Sequence, residues 1–297
     1  MRKAFHKTQS VLLLIFGFVL AALLMPGTGR NRAEAADYRM LQDDYDNPGS
    51  VITSGNYYFK RDAVTDQLMI STQKNGDYQL TPMEYGIWAN GRQAFYVRRN
   101  VLYKYVFSSR RETKVKTLPA SGDQFYRIST VYGRRIFLTK ESFDQWKFWT
   151  YTFDMKTAKF KRVMSNCNIT DRYGKYVVAA NEYRSDVSPY RISLYKITPA
   201  GLTKVKKLTS YGFKEGFING KLYYSSYPRG SVGNTTLYRC NPNGSNRKKL
   251  ASFATDEAFG EVFISEVTST SCNVFIYGKT YRYDYETKQM TEITQDD

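Results

Sequence analysis

Carboxylates are the side chains of this sequence best suited to chemistry, because several recur at similar places along the chain. They are Glu84, Asp123, Asp171, Glu215 and one of Glu257 or Glu261. A protonated and an ionised carboxylate together can hydrolyse a glycosidic bond, and converging carboxylates can bind a cation through oxygen. Alternatively, each acid belongs to a turn or pairs with a neighbour such as Arg127 or Arg172. We therefore expect these positions to form either a ligand-binding site or a set of structural acids, and we assign no catalytic residue.

Two further candidates lie in segments that the pattern predicts to be loops. Trp146 begins the aromatic run Trp146–Trp149, and Arg184 lies between two predicted strands. An exposed indole can stack on a sugar or a peptide, and a guanidinium can make paired hydrogen bonds to a carboxylate. These two residues therefore indicate binding of a carbohydrate or a peptide on a loop surface.

The N-terminal residues have the order of a secretory signal peptide. A basic head is followed by the apolar run Val11–Met25 and by the small-residue site Ala33–Ala35. The run is short for a membrane-spanning helix, which needs about 20 apolar residues, although an uncleaved anchor is the alternative. The prediction is a signal peptide at residues 1–35, removed by cleavage after Ala35.

Cleavage would remove His6, the single histidine of the chain. Without histidine, a Ser-His-Asp triad, a Cys-His pair, a His-ligated zinc and a histidine base are all excluded. The sequence also contains no phosphate-binding loop, no dinucleotide fingerprint and no nucleophile-elbow motif. We expect no cofactor, and an enzyme would have to use carboxylate, tyrosine or lysine side chains.

The three cysteines, Cys167, Cys240 and Cys272, match no metal-binding spacing. They allow at most one disulfide with one thiol remaining. A core of this size does not require disulfides, so we expect small, buried, apolar side chains.

The chain is strongly basic, with a net charge of +17 that becomes +13 after the predicted cleavage. Much of the charge recurs at one place, where the last strand of each repeat begins: Lys114, Lys116, Lys159, Lys161, Arg162, Lys204, Lys206, Lys207, Arg247, Lys248 and Lys249. Lysine on an exposed edge strand prevents edge-to-edge pairing, which is one explanation. The alternative is attraction to a polyanion outside the cell, whereas no nucleic-acid-binding motif is present.

The elements that would position these residues are repeats of strand-like sequence. Each repeat contains an anchor residue, usually tyrosine: Met69, Tyr103, Tyr151, Tyr195, Tyr238 and Tyr281. A second apolar residue follows two positions later in every repeat but the weaker first one. The alternation within each anchor segment has period two, which is typical of a strand. The anchors are 34 to 48 residues apart, so the repeat length is close to that of one blade of a β-propeller.

A glycine-led apolar strand precedes most anchors, as in Gly91–Tyr96 and Gly220–Tyr224, and a shorter strand precedes each glycine. The last repeat lacks this glycine. Four short strands per repeat predict an all-β fold, a six-bladed β-propeller of four-stranded antiparallel blades. A pair of β-sandwiches and a five-bladed ring are the alternatives.

The segment Leu237–Leu250, preceded by Gly220–Tyr224, resembles a blade of bacterial exported propellers of unknown function. Those propellers are related to the YWTD propellers of low-density-lipoprotein receptors and to TolB-like propellers. The likeness is specific around residues 212–250, and the Tyr-Trp-Thr-Asp tetrad is absent. The resemblance implies a six-bladed binding scaffold without defined catalytic residues.

Together these patterns predict a signal peptide at 1–35, an N-terminal segment at 36–49 and a single propeller domain at 50–297. We expect a secreted or cell-surface binding scaffold whose ligand is a glycan, a peptide or a protein. A carbohydrate-active hydrolase or lyase is the alternative. We expect no contact with nucleic acid, and contact with a membrane only if the N-terminal segment is not cleaved.

Overall fold

The computed structural model describes most of the chain between residues 38 and 293. The described ranges are 38–41, 50–62, 64–65, 67–142, 147–181, 190–212, 214–228, 233–255, 262–276 and 278–293. Of Tyr190, Lys214, Glu215 and Thr255, only the backbone is described. The predicted signal peptide and most of the predicted segment 36–49 lie outside these ranges. The described part contains no helix long and apolar enough to cross a membrane.

The described strands form six antiparallel sheets, each built from consecutive strands. Blade 1 contains β2 (Ile52–Ser54), β3 (Tyr57–Arg61), β4 (Leu68–Ser71) and β5 (Gln79–Leu80). Blade 2 contains β6 (Trp88–Ala89), β7 (Gln93–Arg98), β8 (Val101–Val106) and β9 (Arg111–Thr117), with β1 (Arg39–Met40) added beside β6. Blade 3 contains β10 (Phe125–Tyr132), β11 (Arg135–Ser142), β12 (Lys147–Asp154) and β13 (Phe160–Ser165).

The remaining three sheets repeat the same plan. Blade 4 contains β14 (Asn168–Tyr173), β15 (Tyr176–Asn181), β16 (Tyr190–Thr198) and β17 (Gly201–Gly212). Blade 5 contains β18 (Lys214–Ile218), β19 (Lys221–Ser226), β20 (Gly233–Cys240) and β21 (Lys248–Thr255). Blade 6 contains β22 (Phe263–Ser265), β23 (Ser271–Ile276), β24 (Lys279–Asp284) and β25 (Met290–Glu292). The predicted six-bladed β-propeller is confirmed, and the five-bladed alternative is wrong.

The two-residue period of the strands explains how the blades pack. Successive side chains of a strand point to opposite faces of its sheet. Both faces of a blade that lies between two other blades are covered by those neighbours. In β7, Ala94 and Tyr96 pack toward blade 1, whereas Phe95 between them packs toward blade 3. This is why the second strand of each repeat reads as a nearly continuous apolar run.

Five apolar clusters lie between successive blades, from the junction of blades 1 and 2 to that of blades 5 and 6. Large aromatic side chains fill several of them: Phe59 and Tyr96 between blades 1 and 2, and Tyr224 between blades 4 and 5. All three cysteines are buried thiols, and their burial was expected from the sequence. Two of them, Cys240 and Cys272, belong to these clusters.

The repeated glycine before the second strand has a geometric reason. Between β18 and β19, Asn219 and Gly220 have φ angles of 47° and 71°, and Ile218 pairs with Lys221. Two consecutive positive φ values form the tight hairpin turn that matches strand twist, and glycine adopts them at little cost. Blade 6 lacks this glycine and uses a longer connection. There, the Thr268 hydroxyl accepts the N–H groups of Thr270 and Ser271.

Strand β1 lies on the inner side of the blades. The innermost strands β6, β10, β14 and β18 contact one another in turn, and β1 pairs with β6 on the side facing the central channel. Arg39 pairs with Ala89 and Met40 with Trp88. Because blades 1 and 6 are each complete in consecutive strands, the described residues show no exchange of strands between the two ends of the ring.

Candidate functional site

A cavity of about 650 Å³ opens on the channel between β1, β6, β10 and β14. Its lining residues are Tyr38, Arg39, Met40, Trp88, Arg127, Ile128, Ser129, Asn168, Ile169, Thr170, Asp171 and Arg172. This volume is in the range of small-ligand sites in proteins. Three of the predicted site residues, Arg127, Asp171 and Arg172, line it together.

Positive charge dominates this channel cavity. Among the described lining residues there are three guanidinium groups, those of Arg39, Arg127 and Arg172, and one carboxylate, that of Asp171. The wall at β6 is aromatic, since Trp88 lies there with its indole N–H donated to the carbonyl of Ile128 at 3.1 Å. The combination of several guanidinium groups with an aromatic surface suits an anionic ligand that also has an apolar face.

Arg172 is held in a fixed position by three parts of the molecule. Its Nε donates to Thr130 Oγ1 at 2.9 Å in blade 3, and its Nη1 donates to the carbonyl of Gly174 at 3.1 Å. Its Nη2 donates to the carbonyl of Tyr38 at 2.9 Å, immediately before β1. The side chain therefore fastens the N-terminal segment and blade 3 to blade 4, and it presents a fixed positive charge to the cavity.

Asp171 connects two blades through the backbone. Its Oδ1 accepts the N–H of Arg172 at 2.7 Å, and its Oδ2 accepts the N–H of Phe217, in blade 5, at 2.8 Å. A Cβ atom at Gly216 would lie 2.8 Å from Oδ2, and φ there is +112°, so this close approach requires glycine. Backbone donors occupy both oxygens, which favours the structural interpretation of this acid over a role in proton transfer.

Arg127 and Glu141 form an ion pair across β10 and β11 at the edge of the cavity. The Arg127 side chain is 44% exposed, whereas that of Glu141 is 13% exposed. Glu141 is not among the lining residues, and its carboxylate balances the charge of Arg127. Sequence reasoning named Arg127 as a partner for an acid, and the structure supplies Glu141 in that place.

Two other predicted carboxylates, those of Glu84 and Asp123, do not line the cavity. Asp123 accepts the Ser142 hydroxyl at 3.1 and 3.2 Å on its two oxygens, within blade 3. Glu84 is half-buried, and within the described part of the chain its carboxylate has no hydrogen-bond or ion-pair partner. Its backbone carbonyl accepts Arg61 Nη1 at 3.2 Å. Of Glu84, Asp123 and Asp171, only Asp171 lines the cavity, and the hydrogen bonds of Asp123 and Asp171 agree with the structural interpretation of these acids.

Several predicted positions lie outside the described part of the molecule. These are Trp146, Arg184, Glu257, Glu261 and the side chain of Glu215. Within the part of the chain that is described, no group of three His, Cys, Asp or Glu side chains is arranged to hold a metal ion.

Sequence reasoning missed the contribution of the N-terminal segment to the cavity. Tyr38, Arg39 and Met40 form one wall, although no repeat includes them. Tyr38 is 2% exposed, its ring centroid lies 5.5 Å from that of Phe95, and its hydroxyl accepts Gln93 Nε2. The available signal was the alternation Tyr38-Arg39-Met40-Leu41, which has strand character just after the predicted cleavage site.

No family model matches this sequence, and neither does any curated protein. Solved structures of similar fold include an oligogalacturonate lyase in complex with manganese, at 12% identity and a TM-score of 0.50. That alignment covers 88% of this chain and 80% of the lyase. A second is Porphyromonas gingivalis dipeptidyl peptidase 4, at 10% identity and a TM-score of 0.50, covering 83% of this chain and 44% of the peptidase.

TolB from Acinetobacter baumannii is a further similar structure, at 13% identity and a TM-score of 0.38, covering 80% of this chain and 63% of TolB. These neighbours share a β-propeller, and at such identities the likeness shows the fold alone. The chain spans less than half the length of the dipeptidyl peptidase. The function must therefore be argued from the site.

Proposed function

We propose that this protein is an exported, non-enzymatic binding propeller whose channel cavity takes a small anionic ligand, of the class of acidic sugars or acidic peptides. The observation that carries the proposal is the charge of the described cavity walls, where Arg39, Arg127 and Arg172 lie with one acid, Asp171. Asp171 is already bonded to two backbone N–H groups. A ligand carboxylate would therefore meet more guanidinium groups than carboxylates on these walls.

The proposed location is the cell surface or the medium, which rests on the signal-like N-terminal sequence. The likeness of residues 212–250 to exported propellers of unknown function agrees with it. The rigid ring would act as a scaffold, since the cavity walls are innermost strands of blades 2 to 4 and not loops. A site built on strands is held more firmly than one built on loops.

The carbohydrate-active alternative lacks support from the site. A retaining or inverting glycosidase needs two carboxyl groups on either side of the scissile bond. In the described part of the chain, Asp171 is the one acid among the lining residues, and its two oxygens serve the backbone. Asp123 bonds to Ser142, and Glu84 is not a lining residue.

Calorimetric titration with a short galacturonate oligomer tests the proposal, because each sugar unit of this probe carries one carboxylate. The wild-type protein should bind it, and the neutral glucose oligomer of the same length should not bind. Arg39→Ala should weaken binding by about tenfold, the usual size of a charge-assisted contact, and Arg39→Lys should restore part of it. Arg282→Ala removes an exposed charge in blade 6 and serves as the matched control.

Equal affinity for the neutral oligomer, or no effect of Arg39→Ala, would refute the anionic-ligand proposal. Chromatography of the acidic oligomer after a day with the protein tests the enzyme alternative in the same samples. An unchanged length distribution is expected, and shortened products would show that the binding assignment is wrong.

A further inference from the structure

The outer strands of blades 2 to 5 carry almost all of their charge as lysine and arginine. The basic residues in these strands are Arg111, Lys114, Lys116, Lys161, Arg162, Lys204, Lys206, Lys207, Lys248 and Lys249. One acid, Glu112, lies in the same four strands, and it is bound to Arg98 at 2.9 Å. We call the basic residues of these four strands the basic band. With the exception of Lys116, which is half-buried, its side chains are exposed.

A shared irregularity gives the basic band a repeated geometry. In each of blades 2 to 5, the pairing of the third and fourth strands shifts by one residue next to the anchor tyrosine. Each anchor then stands opposite a basic residue: Tyr103 and Lys114, Tyr151 and Arg162, Tyr195 and Lys204, Tyr238 and Lys249. Because bulges of this kind re-aim side chains, four blades place a positive charge at one equivalent position.

Blades 1 and 6 depart from this arrangement. Their anchors stand opposite Leu80 and Glu292, and Glu292 is bound to Lys279 at 2.8 Å. The outer strands of blades 1 and 6 are two and three residues long, whereas those of blades 2 to 5 have six to twelve residues. Edge protection is one reason for lysine on the longer strands. It does not require a basic residue at the same place opposite the anchor in four consecutive blades, and this alignment points to a ligand.

Side chains of the basic band also bridge one blade to the next. Lys116 in blade 2 lies over the Phe160 ring of blade 3, 5.8 Å from its centroid. Lys161 in blade 3 donates to the carbonyl of Ala200 at 3.1 Å, and Lys206 in blade 4 donates to that of Gly244 at 3.3 Å. Because these partners are an aromatic ring and two carbonyl groups, they do not neutralise the lysine side chains. The basic band therefore continues across three blade junctions.

We propose that the basic band is a binding surface for a linear polyanion outside the cell, a polymer with phosphate, sulfate or carboxylate groups along its length. A flexible chain can follow the curved rim and contact blades 2 to 5 in turn. A flat anionic membrane would meet one or two blades at a time. This surface is separate from the channel cavity and does not depend on the ligand proposed there.

Binding of fluorescently labelled long-chain polyphosphate to the whole protein tests this inference by fluorescence anisotropy. The test variant carries Lys114→Gln, Arg162→Gln, Lys204→Gln and Lys249→Gln, the four residues opposite the anchors. The control carries Lys74→Gln, Arg92→Gln, Lys156→Gln and Arg282→Gln, which remove the same charge from exposed positions outside the band. Unfolding in urea establishes that both variants fold.

The dissociation constant should rise by about tenfold in the band variant, because four ion contacts are lost together, and by less than about twofold in the control. Affinity should fall as salt rises, because screening is strong at these distances. It should also fall for a short polyphosphate at equal phosphate concentration. Equal losses in the two variants, or no dependence on polymer length, would overturn the proposal.

Binding to vesicles that contain an anionic phospholipid tests the alternative that the partner is a membrane. If they bind more tightly than the polymer and with the same dependence on the band variant, the partner is a membrane and the linear-polymer proposal is wrong. The channel-cavity proposal is tested with the galacturonate oligomer and this one with polyphosphate and the band variant, so failure of one and failure of the other give different results.

Discussion

The Oδ2 atom of Asp171 accepts the backbone N–H of Phe217 at 2.8 Å, so a carboxylate of blade 4 holds the innermost strand of blade 5. Asp171→Asn would keep one oxygen as an acceptor, replace the other oxygen with an NH2 group and remove the negative charge. We expect a loss of about 1.5 to 3 kcal/mol in the free energy of unfolding, the usual contribution of a hydrogen bond to a charged group. Urea unfolding followed by tryptophan fluorescence measures this loss.

Asp77→Asn is the matched control, because Asp77 is exposed. It should change the free energy of unfolding by less than about 0.5 kcal/mol. A loss at Asp171 no larger than that at Asp77 would mean that the contact between the blades contributes little.

The Asp154 carboxyl should make the stability of the protein sensitive to acid. Burial tends to raise the pKa of this carboxyl, but the N–H groups of Thr157 and Lys156 and the Arg134 and Arg135 guanidinium groups outweigh it, so its pKa lies below the ordinary value. A lowered pKa in the folded state contributes stability above the unfolded pKa, and this contribution is lost as pH falls through the folded pKa. Urea midpoints should therefore fall from about pH 5 downward.

Asp154→Asn removes the titrating group and retains one oxygen for the turn. The variant should be less stable than wild type at pH 6 and should lose stability less steeply on acidification. Asp77→Asn should keep the wild-type pH dependence. Parallel curves for wild type and Asp154→Asn would show that the acid sensitivity comes from other groups.

The sequence was sufficient for the fold because its repeats are local. Six anchors at a blade-like spacing, with alternating apolar residues, predict six four-stranded sheets before any contact is known. The site was harder to predict because its contacts connect distant residues. Arg172 and the carbonyl of Tyr38 are 134 residues apart, and no local pattern indicates that they meet.

The predicted acids show where reasoning from spacing fails. Asp123 lies in the turn before β10 and bonds to a serine of its own blade, whereas Asp171 lies within β14 and bonds to the backbone of the next blade. The partner of each acid depends on its neighbours in space, such as Gly216, which allows the close approach to Asp171. The bulges opposite the anchors could not be predicted from the sequence either, because a one-residue shift in strand pairing leaves little trace in the amino-acid composition.

Tyr38 should contribute strongly to stability, although it precedes every repeat. Tyr38→Ala should cost about 3 to 5 kcal/mol, as expected for a large buried aromatic side chain. Tyr38→Phe should cost about 1 kcal/mol through loss of the hydrogen bond from Gln93. Tyr85→Ala provides a control at an aromatic residue that is 51% exposed. Similar losses for Tyr38→Ala and Tyr85→Ala would indicate that the N-terminal segment does not dock in solution.

The three thiols should be unreactive in the folded protein. Cys167, Cys240 and Cys272 are each at most 3% exposed, and burial raises the pKa of Cys240, which disfavours its reactive thiolate. A colorimetric thiol reagent should detect no cysteine in the native state and three in 8 M urea. Fewer than three in urea would reveal a disulfide, and rapid reaction without urea would show that a cysteine lies at the surface.

The position of the segment 38–41 has a consequence for the order in which the molecule assembles. Ribosomes make this segment before any blade, yet its partners lie on β6 and β7 and at Arg172, in blades 2 and 4. The contact between the Tyr38 carbonyl and Arg172 therefore cannot form until 134 further residues have been made. The first described segment of the chain completes its contacts only after β14 exists.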